Sequence, residues 1–195
     1  MSVITVRILA APAVNKREIL RYAGIARGVC DFDELIDSCL AEALPVLEYK
    51  VCFCELECKI ADNICDFGLF SVSSRDLAKN LAEVRSAILF GATVGVGLDR
   101  LITKHSSLSP SRALMLQAIG AERIEALCDA FCKDLEQERG VLLRPRFSAG
   151  YGDLALDEQK KIFEALKPQK SIGLFLNSSL SMSPSKSVTA FAGIK

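Results

Sequence analysis

The sequence holds a single histidine, His105, and that scarcity removes a good deal of chemistry at once. A histidine-based triad has only this residue to use. No Gly-x-Ser-x-Gly accompanies it, and Ser106-Ser107 beside it reads as a loop. His105 is expected as an exposed residue near a helix end. Net charge is equally scarce: 24 Lys and Arg balance 24 Asp and Glu. This balance removes the electrostatic argument for nucleic acid or an anionic membrane as a general partner. A neutral chain has little colloidal protection near neutral pH, so self-association or a partner surface is expected. Long apolar runs are missing too. The longest, Ala87 to Leu98, is too short to span a bilayer and is interrupted by Gly91, Gly95 and Gly97. Met1-Ser2-Val3 lacks a charged leader, and the apolar stretch Ala10 to Val14 is broken by Pro12. No targeting segment is expected, and the protein is read as cytoplasmic, with its eight cysteines as thiols.

What is present suits one domain over residues 1–195, large enough to bury a substantial core. Half the residues are hydrophobic and a quarter charged, which is ordinary for a globular chain. Strands are expected at Val3–Ile8, Glu48–Glu57, Cys65–Val72, Ser86–Thr93, Val141–Phe147, Ile172–Leu176 and Ser187–Ile194. Helices are expected from Asn15 to about Ala26, from near Asp31 to Pro45, over Arg75–Val84 behind a Ser73-Ser74 cap, and over Leu98–His105. Ser109-Pro110 starts a further helix that runs to Arg139, with Gly120 as a weak point or break and Gly140 as its C-cap. A last helix spans Asp157–Leu166, its acidic pair Asp157 and Glu158 favoured by the helix dipole. Short strands between helices, with no repeat or linker, indicate an α+β fold with a mixed or antiparallel sheet flanked by helices.

Two constellations invite a site and are better read as structure. Cys52-x-Cys54-x-x-x-Cys58 followed by Cys65 could supply metal ligands, yet the spacing is a poor match to Cys-x-x-Cys pairs. Cys52 and Cys54 share one strand face, Cys128 and Cys132 one helix face, and small buried thiols explain both. Gly91-x-x-x-Gly95-x-Gly97 matches neither phosphate-binding glycine pattern and reads as a strand-to-helix corner.

The stretch Arg146-Phe147-Ser148-Ala149-Gly150-Tyr151 reads differently, as a strand ending in a turn able to face a ligand. Glycine beside tyrosine lets backbone approach closely and sets an amphipathic ring next to it. Arg146 offers a planar fork for a carboxylate. Met182-Ser183-Pro184-Ser185-Lys186-Ser187-Val188 then makes a proline turn into the closing strand.

The spacing Arg-x-x-x-Gly-Tyr followed by Met-x-Pro-x-x-Ser-Val resembles the C-terminal activation domain of cobalamin-dependent methionine synthase. Ser74-Arg75-Asp76-Leu77-Ala78-Lys79-Asn80-Leu81 and Leu89-Phe90-Gly91-Ala92-Thr93-Val94-Gly95 extend the resemblance, in particular to standalone relatives of that domain. The resemblance implies S-adenosylmethionine as cofactor, at a site made by Arg146, Phe147, Ser148, Ala149, Gly150 and Tyr151. On residue chemistry, Arg146 would take the ligand's carboxylate, the backbone of Ser148 to Gly150 its polar edges, and Tyr151 a ring or hydroxyl contact. The family usually has proline at the position of Ala149, and an acidic residue near Asn177 and Ser178, so this sequence departs there.

The implied function is to support reductive methylation of cobalamin, as a component of a methionine synthase activity rather than a self-sufficient enzyme. No catalytic side chain and no metal ligand is expected. The usual lower-ligand motif Asp-x-His-x-x-Gly is absent, since residues 103–108 read Thr-Lys-His-Ser-Ser-Leu. Cobalamin is therefore expected on a partner, a corrinoid-binding methyltransferase chain, with electrons from a flavodoxin-like or other reductant. Two other readings are a cysteine-centred metal or redox sensor on the same fold, and an adaptor that holds the corrinoid partner without binding S-adenosylmethionine.

Overall fold

Side chains that alternate across Lys50–Glu57 feed two separate cores, Val51 and Phe53 one of them and Cys52, Cys54 and Leu56 the other. The structure, a computed structural model, describes residues 3–25 and 32–195. Its strands are β1 (Thr5–Ile8), β2 (Lys50–Glu57), β3 (Lys59–Ala61), β4 (Ile64–Asp66), β5 (Ser71–Ser73), β6 (Ser86–Thr93), β7 (Phe175–Leu176), β8 (Met182–Ser183) and β9 (Ser187–Ile194). Its helices are α1 (Lys16–Tyr22), α2 (Asp33–Ala43), α3 (Arg75–Asn80), α4 (Val96–Leu108), α5 (Pro110–Arg139), α6 (Gln159–Leu166) and α7 (Pro168–Ser171).

The main sheet runs β1-β2-β6-β9 and is antiparallel throughout, with β6 central and paired along its whole length to β2 and β9. Helices α1, α2, α4 and α5 close one face, where Phe53, Phe90 and Phe131 pack ring against ring. Helices α3 and α6 and a small sheet of β3, β4 and β5 close the other, around Phe67 stacked on Phe191. The α+β class with an antiparallel, helix-flanked sheet is as expected. Among the described residues no helix is long and apolar enough to cross a membrane.

Local chemistry sets the boundaries. Asn15 caps α1 by accepting from the Arg17 and Glu18 amides, and the helix stops at Tyr22. The ends expected at Ala26 and Asp31 lie outside the described residues. The strand expected over Cys65–Val72 is two strands, because Gly68 takes a positive φ of 75° and a turn bonds Phe67 N–H to Phe70 C=O. Ser74 caps α3 as expected, but that helix ends at Asn80 and passes through turns to Glu83, whose φ is 66°. Gly140 is the left-handed cap of α5.

Gly120 does not break α5. A Cβ there would lie 2.6 Å from Leu98 Cδ2 and 2.8 Å from Lys186 Cγ, so the glycine is a close-packing position. The strand expected over Val141–Phe147 is only two bridges to β9, Leu143 to Ile194 and Phe147 to Phe191. Pro145 between them has no N–H to continue a ladder. Asp157 and Glu158 belong to a 3-10 turn, Leu156–Glu158, ahead of α6. Of the strand expected over Ile172–Leu176 only Phe175 and Leu176 pair, with β8.

Candidate functional site

Phe147 is pinned to the closing strand by reciprocal backbone bonds with Phe191, at 2.9 and 2.8 Å, and the chain beyond it turns away from the sheet. The turn is built from three bonds: Tyr151 N–H to Ser148 C=O at 3.2 Å, Gly150 N–H to Leu154 C=O at 2.8 Å, and Leu154 N–H to Tyr151 C=O at 3.1 Å. Gly150 stands at φ 92°, a conformation L side chains resist. Arg146, Phe147, Ser148, Ala149 and Tyr151 all line one cleft of about 690 Å³, within the size range of small-molecule sites. Gly150 does not line it; its contribution is the bend. Ala149 is buried, and Tyr151 is 68% exposed at the rim.

The far wall comes from the second sequence motif. Met182 from β8, Ser187, Val188 and Thr189 from β9, and Gln159 from α6 line the same cleft. Ser187 Oγ lies 2.8 Å from both Thr93 Oγ1 and Pro184 O, and Thr189 Oγ1 donates to Gln159 Oε1 at 2.8 Å. The proline turn is fixed from below by Asp99 at the start of α4, which accepts from Ser185 N–H at 2.8 Å and Ser185 Oγ at 2.5 Å. Asn177, where the resemblance led to an acidic residue nearby, organises the β7–β8 turn: its Oδ1 accepts from the Ser179 and Ser181 amides. The cleft is thus the meeting place of both motifs.

Arg146 is not a free fork. Its Nη1 donates to Asp129 Oδ1 at 2.5 Å and its Nη2 to Glu125 Oε2 at 2.9 Å, both acceptors on α5. Burial works against its charge, but the hydrogen bond to Asp129 and the neighbouring negative groups outweigh that and raise its pKa. Cys132 is a further hydrogen-bond partner of the guanidinium, and of its five N–H donors those not so engaged are left to meet a ligand. Glu125 itself lines the cleft.

The turn is tied to α3 by Asp153. Its carboxylate accepts from Ser74 Oγ at 2.5 Å and from the Arg75 and Asp76 amides at 3.0 and 3.1 Å. The Ser74 hydrogen bond, with those two amides, holds the Asp153 carboxyl below its ordinary range. Gly152 beside it must remain small, since a Cβ would lie 2.5 Å from Asp76 Oδ2.

Sequence reasoning missed Glu125, Asp129 and Asp153, which are ordinary acids in ordinary patterns and acquire meaning only through partners far along the chain. It also missed Arg123. This wholly buried residue donates to the Pro12 and Ala13 carbonyls at 2.6 and 2.7 Å and pairs with Glu122. The one signal for it was a charged pair, Glu122-Arg123, interrupting an apolar helix face.

The other candidates lie elsewhere. His105 is buried, not exposed: it sits between α2 and α4, its Nε2 3.0 Å from Glu42 Oε2, while Arg112 donates to the same carboxylate. The helix end runs on to Leu108, which carries His105 onto the covered face. Cys52, Cys54, Cys58 and Cys65 share the second core, where burial pushes the Cys54 and Cys65 thiols up to about 11. The seven described cysteines are unpaired, and no group of three or more potential ligands among the described residues is placed to hold a metal. Gly95 and Gly97 make the corner from β6 into α4, where a Cβ on Gly97 would lie 2.4 Å from Val46 O.

No family model matches the chain, and no curated protein does. Among solved structures, 13 chains match. One is a crystal structure of the MetH reactivation domain bound to AdoHcy, with a TM-score of 0.68 over 97% of this chain and 78% of the other, at 13% sequence identity. The fold of this chain is that of the MetH reactivation domain.

Proposed function

We propose that the cleft binds S-adenosylmethionine and that the protein supports reductive methylation of cobalamin carried by a separate corrinoid methyltransferase chain. The observation that carries this reading is the convergence of the two sequence motifs on one cleft of suitable size. The neighbour of the same fold holds AdoHcy, the demethylated form of that ligand. The remaining N–H groups of Arg146 suit the ligand's carboxylate. Tyr151 at the rim suits its adenine or ribose, and the apolar wall of Phe147, Leu156, Leu180 and Met182 suits its hydrocarbon parts.

In this scheme a reductant of flavodoxin type delivers one electron to Co(II). The resulting Co(I) attacks the sulfonium methyl, the sulfur keeps the bonding pair, and methyl-Co(III) and S-adenosylhomocysteine result. The chain contributes position rather than acid, base or nucleophile: in-line approach of methyl and cobalt is what free solution rarely provides. Corrinoid is assigned to the partner because the sole histidine is buried against Glu42, between α2 and α4. The seven described cysteines, all unpaired, fit a reducing, cytoplasmic setting.

Two measurements test this. Calorimetry should detect S-adenosylmethionine binding, weakened by about 1.5–3 kcal/mol in Arg146→Ala, the scale of a charge-assisted hydrogen bond. Anaerobic spectra should show faster conversion of Co(II) to methyl-Co(III) on the partner when the chain is present, with Tyr151→Ala slowing it. Absence of binding in the unmutated protein ends the site assignment, and binding without any rate effect leaves only an adaptor.

A further inference from the structure

Strand β1 is the outer strand of the main sheet, and among the described residues nothing pairs with its free side. Proteins guard such an edge with lysine, proline or a bulge. Here the sequence Thr-Val-Arg-Ile has neither lysine nor proline, and its four pairs with β2 run in unbroken register. The one charge, Arg7, is turned onto the face that carries the helices. It donates to Glu138 Oε2 at 2.5 Å, and its guanidinium lies 5.1 Å above the Phe53 ring.

The register also says which backbone groups are free. Leu9 N–H donates to Tyr49 C=O at 2.9 Å, so Leu9, Arg7 and Thr5 direct their backbone to β2. The alternation turns the N–H and C=O of Val6 and Ile8 outward, and those of Ile4 ahead of them. Side chains of these three lie on the face opposite Arg7. Ile4 packs on the second core, while Val6 is 45% and Ile8 77% exposed.

We infer that β1 is a dimerisation edge, where two copies of this chain join antiparallel about a two-fold axis at Val6 and their four-stranded sheets become one. The apolar triplet Ile4-x-Val6-x-Ile8 is a palindrome centred on Val6. In this register Val6 faces the partner's Val6, Ile4 faces the partner's Ile8, and Thr5 faces the partner's Arg7. Each of the three outward pairs exchanges two backbone bonds, about six in all. Sliding one way sets Arg7 against the partner's Arg7, and sliding the other leaves Ile8 beyond the triplet, so one register is favoured. Equal numbers of acidic and basic residues leave no net repulsion between copies. The two-fold pairing uses up both free edges and closes, which a chance partner strand does not do. Strand β9 stands three strands away, about 14 Å at the usual spacing, so the dimer rests on no reading of the cleft.

Sedimentation of the full chain over a range of concentrations is the test. A contact this small belongs to the weak class, so a monomer–dimer equilibrium is expected at about 10–100 μM. Amide exchange at Ile4, Val6 and Ile8 should slow as concentration rises, while Thr5, Arg7 and Leu9 are protected throughout. Val6→Lys sets two ammonium groups face to face on the axis and should raise the dissociation constant about tenfold or more, with an unchanged circular dichroism spectrum. Val6→Cys tests the register without a charge. Facing residues there have Cα atoms about 5.5 Å apart, within reach of a disulfide, so mild oxidation should give a covalent dimer. Ile8→Cys should not, because Ile8 faces Ile4; the unmutated chain, six of whose seven described cysteines are buried, is the control. A chain monomeric at about 100 μM overturns the proposal and leaves the edge to an extended segment of another protein. A dimer indifferent to Val6→Lys, or one cross-linked through Ile8→Cys rather than Val6→Cys, overturns it equally.

Discussion

Two glycine-bearing corners of this protein look alike in sequence and differ in what fills them. At Gly91-x-x-x-Gly95-x-Gly97 the chain leaves β6 for α4, and at Gly150-Tyr151-Gly152 it leaves the β9-bridged segment towards α6. Gly95 and Gly150 both have positive φ, 83° and 92°. The first corner is full: protein atoms stand within 2.4 Å of where a Cβ on Gly97 would be. At Gly150 the nearest atom is the flexible end of Leu156, 3.2 Å away, and the residues on either side line a cleft. Glycine marks close approach in both. Whether the approaching object is the protein's own backbone or a ligand is decided by neighbours that the local sequence does not name.

Substitution is the direct way to sharpen this contrast. Gly97→Ala forces a methyl group into Val46 backbone and should cost about 3 kcal/mol of stability, the upper range for overpacking, read as a lower midpoint in urea with an unchanged slope. Ligand affinity of the folded fraction should not move; if it does, the filled corner is coupled to the cleft after all. Gly150→Ala meets only a movable side chain, so the cost is that of the strained φ, about 1–2 kcal/mol. Unlike the first variant it should also weaken S-adenosylmethionine, because the turn that carries Ser148, Ala149 and Tyr151 must readjust. Equal ligand affinity in this variant would show the turn to be mere scaffolding.

The smallest effect is expected at Asp153, which is exposed and acts by capping. Its carboxyl is held below the ordinary aspartate range, so its contribution is present above the unfolded value and is lost as pH falls through the folded one. Asp153→Asn should flatten that acid limb of the stability–pH curve and leave the neutral region almost untouched. An unchanged acid limb would remove Asp153 as the fastening of the turn to α3.

Much of the architecture was legible because it depends on short-range pattern. Ser86–Thr93 and Ser187–Ile194 read as strands with the right boundaries, as did Ser109-Pro110 and Gly140 as the ends of α5. The errors share a cause. Gly120 looked like a helix break because its partners, Leu98 and Lys186, lie far away in sequence. Val141–Phe147 looked like a strand because its apolar residues are β-leaning, while Pro145 limits it to two bridges. His105 looked exposed because the helix end was placed too early. In the cleft, the stretch Arg146–Tyr151 singled out in the sequence supplies five of the lining residues, while Glu125 and Asp129 drew no notice, because nothing in a helix face says which arginine it will meet.

The pairing order of the main sheet has a consequence for the order of assembly. Strand β9 is made after everything it joins, yet it supplies the second edge of β6 and both bridges to the Leu143–Phe147 segment. A nascent chain that has not reached residue 187 holds the first motif without the strand that aims it, and presents the central strand with one side bare. The cleft is therefore incomplete until β9 lies between β6 and the Leu143–Phe147 segment. Until then β6 is an unprotected template of apolar residues, open to the wrong neighbour.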